Sequence, residues 1–350
     1  MILDFTILEK ICNLVCEYCR GSFGFSKADK RLDDWVCFGE ASWEEYLKNP
    51  FIGEFVVSRE SQNEYRLPVD LLVQATVATL DFIEERLPVN SIKLSGGELT
   101  LFPEIIVAAI QRSSKATLIK VLSNGLLLTS SAVEQWLTCG KDLVIQVSLD
   151  GVDGRANAHR FKSAHVISRV LHEVKQISAL GVPIEINTVL TRASIDEYHC
   201  LVDWAAESLG NATLFPRPVR NISDKRLIPV RSQALTLAKN LERNWAKYER
   251  LFPSRQYCDL LLHIIGDAKI QRVCRVPMNV AAVSLSGRIN ACTIGGTPSV
   301  GNIFESPGLL RRCEAPNREV ASNCWSVCRL CLSEYEAFNS WGLSGGREAF

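Results

Sequence analysis

Three cysteines near the amino terminus have the spacing best suited to chemistry. Cys12, Cys16 and Cys19 follow one another as CxxxCxxC, directly after an apolar run at residues 5–8. Three thiolates on one loop can hold three corners of a 4Fe–4S cluster and leave the fourth iron open. Structural zinc sites usually close their shell with a fourth side chain and pair their cysteines as CxxC. The spacing therefore favours a cluster with an open iron, and a zinc site or unrelated buried thiols are the alternatives.

Composition limits the classes of partner. The 350 residues include 39 basic and 39 acidic side chains, so the formal net charge is +0. No overall field then favours nucleic acid or a membrane surface, and we expect neither as a partner. No apolar run reaches transmembrane length, and the first residues lack the features of a signal peptide. We expect a cytoplasmic protein of one large domain or two smaller ones.

The cysteines are too numerous to be disulfides in a reducing compartment, since the chain has 13 of them. Besides the first three, a second group lies near the carboxyl terminus: Cys274, Cys292, Cys324, Cys328 and Cys331. Such grouping favours metal ligation over scattered packing. Cys139 and Cys200 lie in helical patterns and are expected to be small buried hydrophobes. The five histidines show no metal-ligand spacing, so none is assigned a role.

Short apolar runs alternate with helical patterns over the first 220 residues. The predicted strands cover residues 2–8, 91–95, 118–122, 143–149, 183–190 and 212–216. The predicted helices cover residues 69–86, 103–113, 130–137, 165–180 and 195–209. This alternation predicts right-handed crossovers and a parallel sheet. The expected fold class is α/β, a partial (β/α)6 TIM-like barrel over residues 1–220.

Two further segments are expected beside the barrel. Residues 21–69 are interpreted as an elaborated loop insertion over the barrel mouth, with a short helix at 42–48. Residues 221–270 are interpreted as a helical connection, with helices over 231–250 and 258–269.

Polar and glycine-rich residues follow the predicted strands in order. Gly96-Gly97-Glu98 follows the second strand, Ser123-Asn124-Gly125 the third, and Asp150-Gly151 the fourth. The carboxyl ends of parallel strands meet at one edge of the sheet, where such folds gather their chemistry. We therefore expect these residues to lie close to the three cysteines.

The cysteine triplet and Gly96-Gly97-Glu98 together closely resemble the radical SAM superfamily, and the resemblance spans nearly the whole chain. It implies that the open iron binds the amino and carboxylate groups of S-adenosylmethionine (SAM). Tyr18 fits the aromatic residue that the family carries before its last cysteine. The remaining SAM contacts implied by the resemblance are Gly96, Gly97 and Glu98 at the amino group, Ser123 and Asn124 at the ribose or methionine, Ser148 at the ribose or carboxylate, Arg160 at the carboxylate, and residues 188–190 at the adenine.

The carboxyl-terminal cysteines resemble those of a second module. Cys274 and Cys292 flank a hairpin signal around Ser286-Gly287. The pattern is similar to the twitch and SPASM domains appended to many radical SAM enzymes, here over residues 271–350. The resemblance implies one auxiliary 4Fe–4S cluster on Cys274, Cys292, Cys328 and Cys331, with Cys324 and Cys313 as possible further ligands. A zinc ribbon is the alternative, because four thiolates suit zinc equally well.

The resemblance implies a reaction class. A reduced cluster passes one electron to SAM, and the resulting 5′-deoxyadenosyl radical abstracts a hydrogen atom from the substrate. The auxiliary cluster could accept an electron, which makes the net reaction an oxidation or a cross-link by an oxidoreductase or maturase.

Several partners and functions are compatible with that class. Relatives imply an electron donor such as flavodoxin or ferredoxin. They also favour peptide modification, with recognition by a separate partner protein or by the insertion. Dehydrogenation of a small sugar-like metabolite is the first alternative, and a non-enzymatic iron–sulfur or zinc protein is the second.

Overall fold

The computed structural model describes residues 1–8, 11–19, 29–53, 58–61, 64–160, 163–219, 225–265, 280–290 and 299–312. Its elements in chain order are β1 (Ile2–Thr6), β2 (Lys30–Leu32), β3 (Trp35–Gly39), α1 (Glu40–Tyr46), α2 (Pro50–Gly53), β4 (Ser58–Ser61), β5 (Glu64–Pro68), α3 (Val69–Glu84), β6 (Ser91–Ser95), α4 (Pro103–Arg112), β7 (Leu118–Ser123), α5 (Ser130–Leu137), β8 (Asp142–Ser148), α6 (Ala164–Ala179), β9 (Ile184–Leu190), α7 (Tyr198–Ser208), β10 (Ala212–Pro218), α8 (Arg231–Arg243), α9 (Trp245–Tyr248), α10 (Arg255–Ile265), β11 (Val280–Ser284), β12 (Arg288–Asn290), β13 (Ser299–Asn302) and α11 (Gly308–Arg312). Among these helices, none has the length and apolarity needed to cross a bilayer.

The main sheet confirms the predicted α/β class. Its strand order is β10-β9-β8-β7-β6-β1-β11-β12-β13. The six strands β1 and β6–β10 are parallel neighbours in chain order, with a helix before each of β6 to β10. In the part of the chain that the structure describes, these strands form an open sheet, as a partial barrel requires.

Local signals explain where several helices begin and end. Pro103 occupies the first turn of α4, where its missing N–H costs no hydrogen bond. The side chain of Thr129 caps α5 by accepting a hydrogen bond from the Ala132 N–H at 3.2 Å. Gly181 follows α6 with φ +83°, a left-handed conformation that favours glycine and ends the helix.

The two faces of the main sheet differ in chemistry. Because the crossovers run in one direction across the sheet, their helices cover one face, and apolar side chains such as Phe5 lie there. The opposite face carries buried charges in matched registers. Lys93 lies 3.3 Å from Asp4, and Lys120 binds both oxygens of Glu185 at 2.7 Å. This charged face was not predicted from the sequence, although one lysine interrupts the apolar residues of β6 and another those of β7.

The hairpin predicted around Ser286-Gly287 is present. β11 and β12 pair antiparallel, and Gly287 has φ +83° in the turn. The first strand of the hairpin also pairs in parallel with β1, with Ile2 opposite Val280, so β11–β13 extend the main sheet.

The carboxyl-terminal metal ligands predicted from the sequence lie outside the described residues; they are Cys274, Cys292, Cys313, Cys324, Cys328 and Cys331. The auxiliary cluster and the domain boundaries at 220 and 270 therefore stay predictions. Within 221–270 the described part is helical, with α8 and α10 close to the two predicted helices.

The insertion expected as a loop contains a second sheet. Its four strands are antiparallel in the order β2-β3-β5-β4. The helix predicted at 42–48 is present as α1, which begins and ends two residues earlier. The strand pairing β3–β5 joins Trp35 to Pro68 and therefore has no short turn signal to announce it. The insertion contacts the ends of the main strands, where the Tyr46 hydroxyl donates to the Ile7 carbonyl at 3.1 Å and the Asn49 amide donates to the Leu285 carbonyl at 2.6 Å.

Candidate functional site

We define the cysteine loop as residues 11–19. The start of this loop, which we call its front, lies directly against Gly96-Gly97-Glu98. The Gly97 N–H donates to the Leu8 carbonyl at 2.5 Å, and the Glu98 N–H donates to the Ile11 carbonyl at 2.9 Å. A Cβ at Gly97 would lie 2.0 Å from the Ile11 oxygen, and one at Gly96 would lie 3.0 Å from the Leu8 oxygen. The glycines were expected to admit a ligand, and here they admit the backbone that leads into the cysteine loop.

The Glu98 carboxylate joins the ends of β6 and β7. It is 2% exposed and accepts four hydrogen bonds. The Ser123 hydroxyl donates at 2.9 Å and the Asn124 N–H at 2.6 Å. The N–H and hydroxyl of Thr100 donate at 3.2 and 2.7 Å. The sequence analysis assigned Glu98 and Ser123 to SAM; the structure brings them together, and their contacts with SAM stay predictions.

Asn124 places an amide donor beside the first cysteine. Its Nδ2 group donates to Asn13 Oδ1 at 2.7 Å and lies 3.8 Å from the Cys12 sulfur. Its Oδ1 atom accepts from the Leu126 N–H at 2.9 Å, which fixes the amide orientation. The predicted residue after the third strand therefore reaches the cysteine loop itself.

The rear of the cysteine loop is held by a hydrogen-bond network between Tyr18 of the loop and two side chains that follow β8, Asp150 and Arg160. We call these three residues the tyrosine clasp. The Tyr18 hydroxyl donates to Asp150 Oδ2 and accepts from Arg160 Nη1 at 3.2 Å. The other oxygen of Asp150 accepts from the Val189 N–H at 2.8 Å. The clasp thus links the cysteine loop to β8 and β9.

Burial sets the protonation of the clasp. It raises the pKa of Tyr18 well above its ordinary value, so the phenol stays protonated and can donate. Burial also raises the pKa of Asp150, while the nearby Arg160 opposes that shift. Burial disfavours the charge of Arg160, but the surrounding acidic groups raise its pKa, so the guanidinium stays cationic.

A second contact runs beside the clasp. The Glu17 N–H donates to the His159 carbonyl at 3.1 Å, and the His159 Nδ1 atom lies 2.8 Å from a Glu17 carboxylate oxygen. Asn157 shapes this loop by accepting from the Asp150 N–H at 2.9 Å and donating to the Gly151 carbonyl at 2.7 Å. Asp150 therefore lies close to the cysteine loop, as its place after the fourth strand predicted, whereas no role was predicted for His159.

The three thiols suit a cluster in their chemistry. Cys12, Cys16 and Cys19 are free and half-buried. Burial raises the pKa of Cys16 to about 11, and the nearby Arg160 lowers it while Cys12 and Cys19 raise it. Among the described residues, the cysteine triplet included, no three His, Cys, Asp or Glu side chains lie close enough together to hold a metal ion.

The remaining predicted SAM contacts lie further along the same edge. Ser148 is the last residue of β8 and pairs with Asn187 of β9. The Thr188 hydroxyl donates to the Leu149 carbonyl at 2.8 Å, and Leu190 is buried. The roles of Ser148 and of residues 188–190 toward SAM stay predictions. Cys139 and Cys200, expected to be small buried hydrophobes, are half-buried, and Cys139 packs against the core.

Solved structures share this fold, although no protein-family model and no curated protein matches the chain. The chain is similar to Streptococcus suis SuiB bound to S-adenosylmethionine, at 15% identity and a TM-score of 0.55, over 95% of this chain and 69% of SuiB. It is similar to Streptococcus suis SuiB bound to precursor peptide SuiA, at 16% identity and 0.56, over 95% and 70%. It is also similar to native anSMEcpe with bound AdoMet and Cp18Cys peptide, at 15% identity and 0.57, over 95% and 88%. The fold implied by the sequence resemblance is thereby confirmed.

Proposed function

We propose that the chain is a radical SAM enzyme. The observation that carries this proposal is the position of the cysteine loop at the carboxyl ends of the strands. The loop packs against Gly97, and the Asn124 amide lies 3.8 Å from the Cys12 sulfur. Cys12, Cys16 and Cys19 would hold a 4Fe–4S cluster with SAM at its open iron. With one electron from an external donor, this group would supply the cleavage of SAM to methionine and a 5′-deoxyadenosyl radical that can remove a hydrogen atom from the substrate. Two of the similar solved structures, SuiB and anSMEcpe, have SAM bound, which supports the same ligand here.

The residues of the chain position these groups. The Glu98 carboxylate holds the ends of β6 and β7 together through Ser123 and Asn124, so the Asn124 amide faces the cysteine loop in one arrangement. Amide N–H donors directed at cysteine sulfur stabilise negative charge there and tune a cluster. Ser148 continues the same edge on the face that carries the buried ion pairs. Substrate and SAM would meet on this charged face of the sheet, which the crossover helices do not cover.

The substrate class that we infer is a peptide. SuiB and anSMEcpe have peptides bound in two of the similar structures. The helical part of the insertion also packs at the same end of the strands, through Tyr46 and Asn49. The insertion is therefore our candidate for peptide recognition, alone or with a separate partner protein.

The first experiment tests the reaction class. Anaerobically reconstituted, reduced protein should convert SAM to 5′-deoxyadenosine, and Cys16→Ala should abolish this product. Cys139→Ala removes a half-buried thiol just after α5 and should leave the yield of 5′-deoxyadenosine unchanged. Stoichiometric zinc without iron and sulfide, or equal product from Cys16→Ala, would contradict the proposal.

The second experiment tests the auxiliary cluster. We expect about eight iron atoms per chain, from two 4Fe–4S clusters. Cys328→Ala combined with Cys331→Ala should reduce this to about four and keep SAM cleavage measurable. An unchanged iron content would remove the auxiliary cluster from the proposal, and a flavodoxin or ferredoxin added in place of the chemical reductant would test the electron donor.

The third experiment tests the substrate. Short peptides encoded beside the gene are incubated with the enzyme and SAM, and the peptide mass is measured. Loss of two hydrogens from one peptide supports oxidation or cross-linking. Stimulation of SAM cleavage by sugar-like metabolites, with no change in any peptide, favours small-molecule dehydrogenation.

A further inference from the structure

We propose that the tyrosine clasp is a positioning unit for the cluster, and that Arg160 acts on the cluster through Cys16 rather than by binding the SAM carboxylate. The inference rests on the proposed function, because it assumes a cluster on the cysteine loop. It departs from the role that the sequence resemblance implied for Arg160.

The contacts of the clasp direct Arg160 toward the cysteine loop. Arg160 is 8% exposed, its N–H donates to the Asn157 carbonyl at 2.8 Å, and its Nη1 group donates to the Tyr18 hydroxyl. That hydroxyl also donates to Asp150, so the phenol is used as both donor and acceptor. Asp150 is anchored in turn by the Val189 N–H. The two partners of the phenol are therefore each fixed from a second side, Asp150 by the Val189 N–H and Arg160 through its backbone N–H.

Arg160 lies beside Cys16 in the fold. Their neighbours in the chain are joined by a backbone hydrogen bond from the Glu17 N–H to the His159 carbonyl at 3.1 Å, and the buried Arg160 guanidinium contacts the Tyr18 hydroxyl. A metal-bound cysteine is a thiolate, and a cluster gains one negative charge when it is reduced. A nearby buried cation therefore favours the reduced cluster, and its removal shifts the reduction potential to a more negative value.

The first test separates a charge acting on the cluster from a SAM ligand. The reduction potential, followed by EPR, and the SAM dissociation constant are measured for Arg160→Gln and Arg160→Lys. We expect a more negative potential for Arg160→Gln, recovery in Arg160→Lys, and SAM affinity close to wild type in both. A direct contact with the SAM carboxylate would instead be worth about tenfold or more in affinity. An unchanged potential with that loss of affinity overturns the proposal.

The matched control is Arg155→Gln. Arg155 lies in the same loop after β8, its side chain is 71% exposed, and it pairs with Glu197 at 3.6 Å. The substitution removes the same charge, and solvent screening should leave the potential unchanged. An equal shift in Arg155→Gln would show that the effect is not specific to the clasp.

The second test concerns positioning. Tyr18→Phe keeps the ring and removes both hydrogen bonds, and we expect loss of the cluster to an iron chelator to become about tenfold faster. Tyr248→Phe removes another tyrosine–aspartate hydrogen bond, to Asp203 at 2.8 Å, far from the cysteine loop in the chain. It should leave the chelation rate unchanged, and thermal unfolding checks that both variants fold.

The outcomes distinguish the two proposals. A wild-type protein that assembles no iron–sulfur cluster defeats the proposed function and this inference with it. A wild-type protein that holds the cluster and cleaves SAM, while Tyr18→Phe and Arg160→Gln match it in chelation rate and potential, defeats the clasp alone.

Discussion

The front and the rear of the cysteine loop are held by different kinds of contact. At the front, backbone N–H groups of Gly97 and Glu98 bind backbone carbonyls at distances that leave no room for a side chain. At the rear, side chains carry the contact, through the Tyr18 hydroxyl and the buried charges of Asp150 and Arg160. The front is therefore sensitive to added volume, whereas the rear is sensitive to lost polarity and charge. Substitutions that separate these two sensitivities test the comparison.

Gly97→Ala should have the largest effect. The added Cβ would lie 2.0 Å from the Ile11 oxygen, so the front of the loop must move. Overpacking of this kind costs about 1–3 kcal/mol or more, and we expect the variant to lose most of its iron and sulfide after reconstitution. Gly210→Ala is the control, because a Cβ there meets nothing within 4 Å. Normal cluster content in Gly97→Ala would contradict the close approach at the front.

Glu98→Gln should have the next largest effect. A neutral amide cannot accept all four hydrogen bonds, so a buried donor such as the Asn124 N–H loses its partner. The expected loss in the free energy of unfolding is about 1–3 kcal/mol, measured by chemical denaturation. Glu104→Gln breaks a partly exposed pair with Arg31 and should cost about 0–1 kcal/mol. Equal losses in the two variants would argue against the linking role of Glu98.

Asn124→Ala should have a moderate effect at the front. It removes the donor to Asn13 and the amide beside the Cys12 sulfur, at a cost of about 1 kcal/mol. Because that amide favours negative charge on the cysteine, its loss should shift the reduction potential of the cluster to a more negative value. Asn244→Ala, which removes contacts with Asn240 only, should leave the potential unchanged. An unchanged potential in Asn124→Ala would separate the amide from the cluster.

His159→Gln should have the smallest effect. The His159 side chain faces Glu17 near the surface, with side-chain exposures of 21% and 59%. Surface pairs contribute about 0–1 kcal/mol, and the backbone bond from the Glu17 N–H to the His159 carbonyl is kept. Thermal unfolding and cluster retention should therefore stay close to wild type. A loss as large as that of Tyr18→Phe would show that the exposed pair, and not the clasp, holds the rear.

The strands and helices of the main sheet were predictable because their signals are local. β6 and α5 coincide with their predicted ranges, and β9 differs by one residue at its start. The second sheet was not predictable in the same way, since β3 pairs with a strand about thirty residues later. The pairing of β11 with β1 joins the two ends of the chain and has no local signal at all.

The site divides along the same line. The three cysteines and Gly96-Gly97-Glu98 are recognisable from spacing, and strand-end logic brings Asn124 to them. The partners of Tyr18 were recognisable only in part. The strand-end argument placed Asp150 near the cysteines, but the bonds of Tyr18 with Asp150 and Arg160 join residues far apart in the chain and have no local signal. The predicted contact of Arg160 with SAM stays a prediction.

The order of residues along the chain was enough to determine the α/β class, the six parallel strands and five helices of the predicted barrel to within a few residues, and the thiols available for a cluster. These properties follow from periodicity and spacing, which are local. Only the tertiary structure decided which backbone carbonyls pack against Gly96 and Gly97, which groups donate hydrogen bonds to the Glu98 carboxylate and which charged side chain lies beside Cys16. Those choices depend on buried polar groups finding partners wherever packing places them, and the low dielectric of the interior makes each such choice energetically decisive.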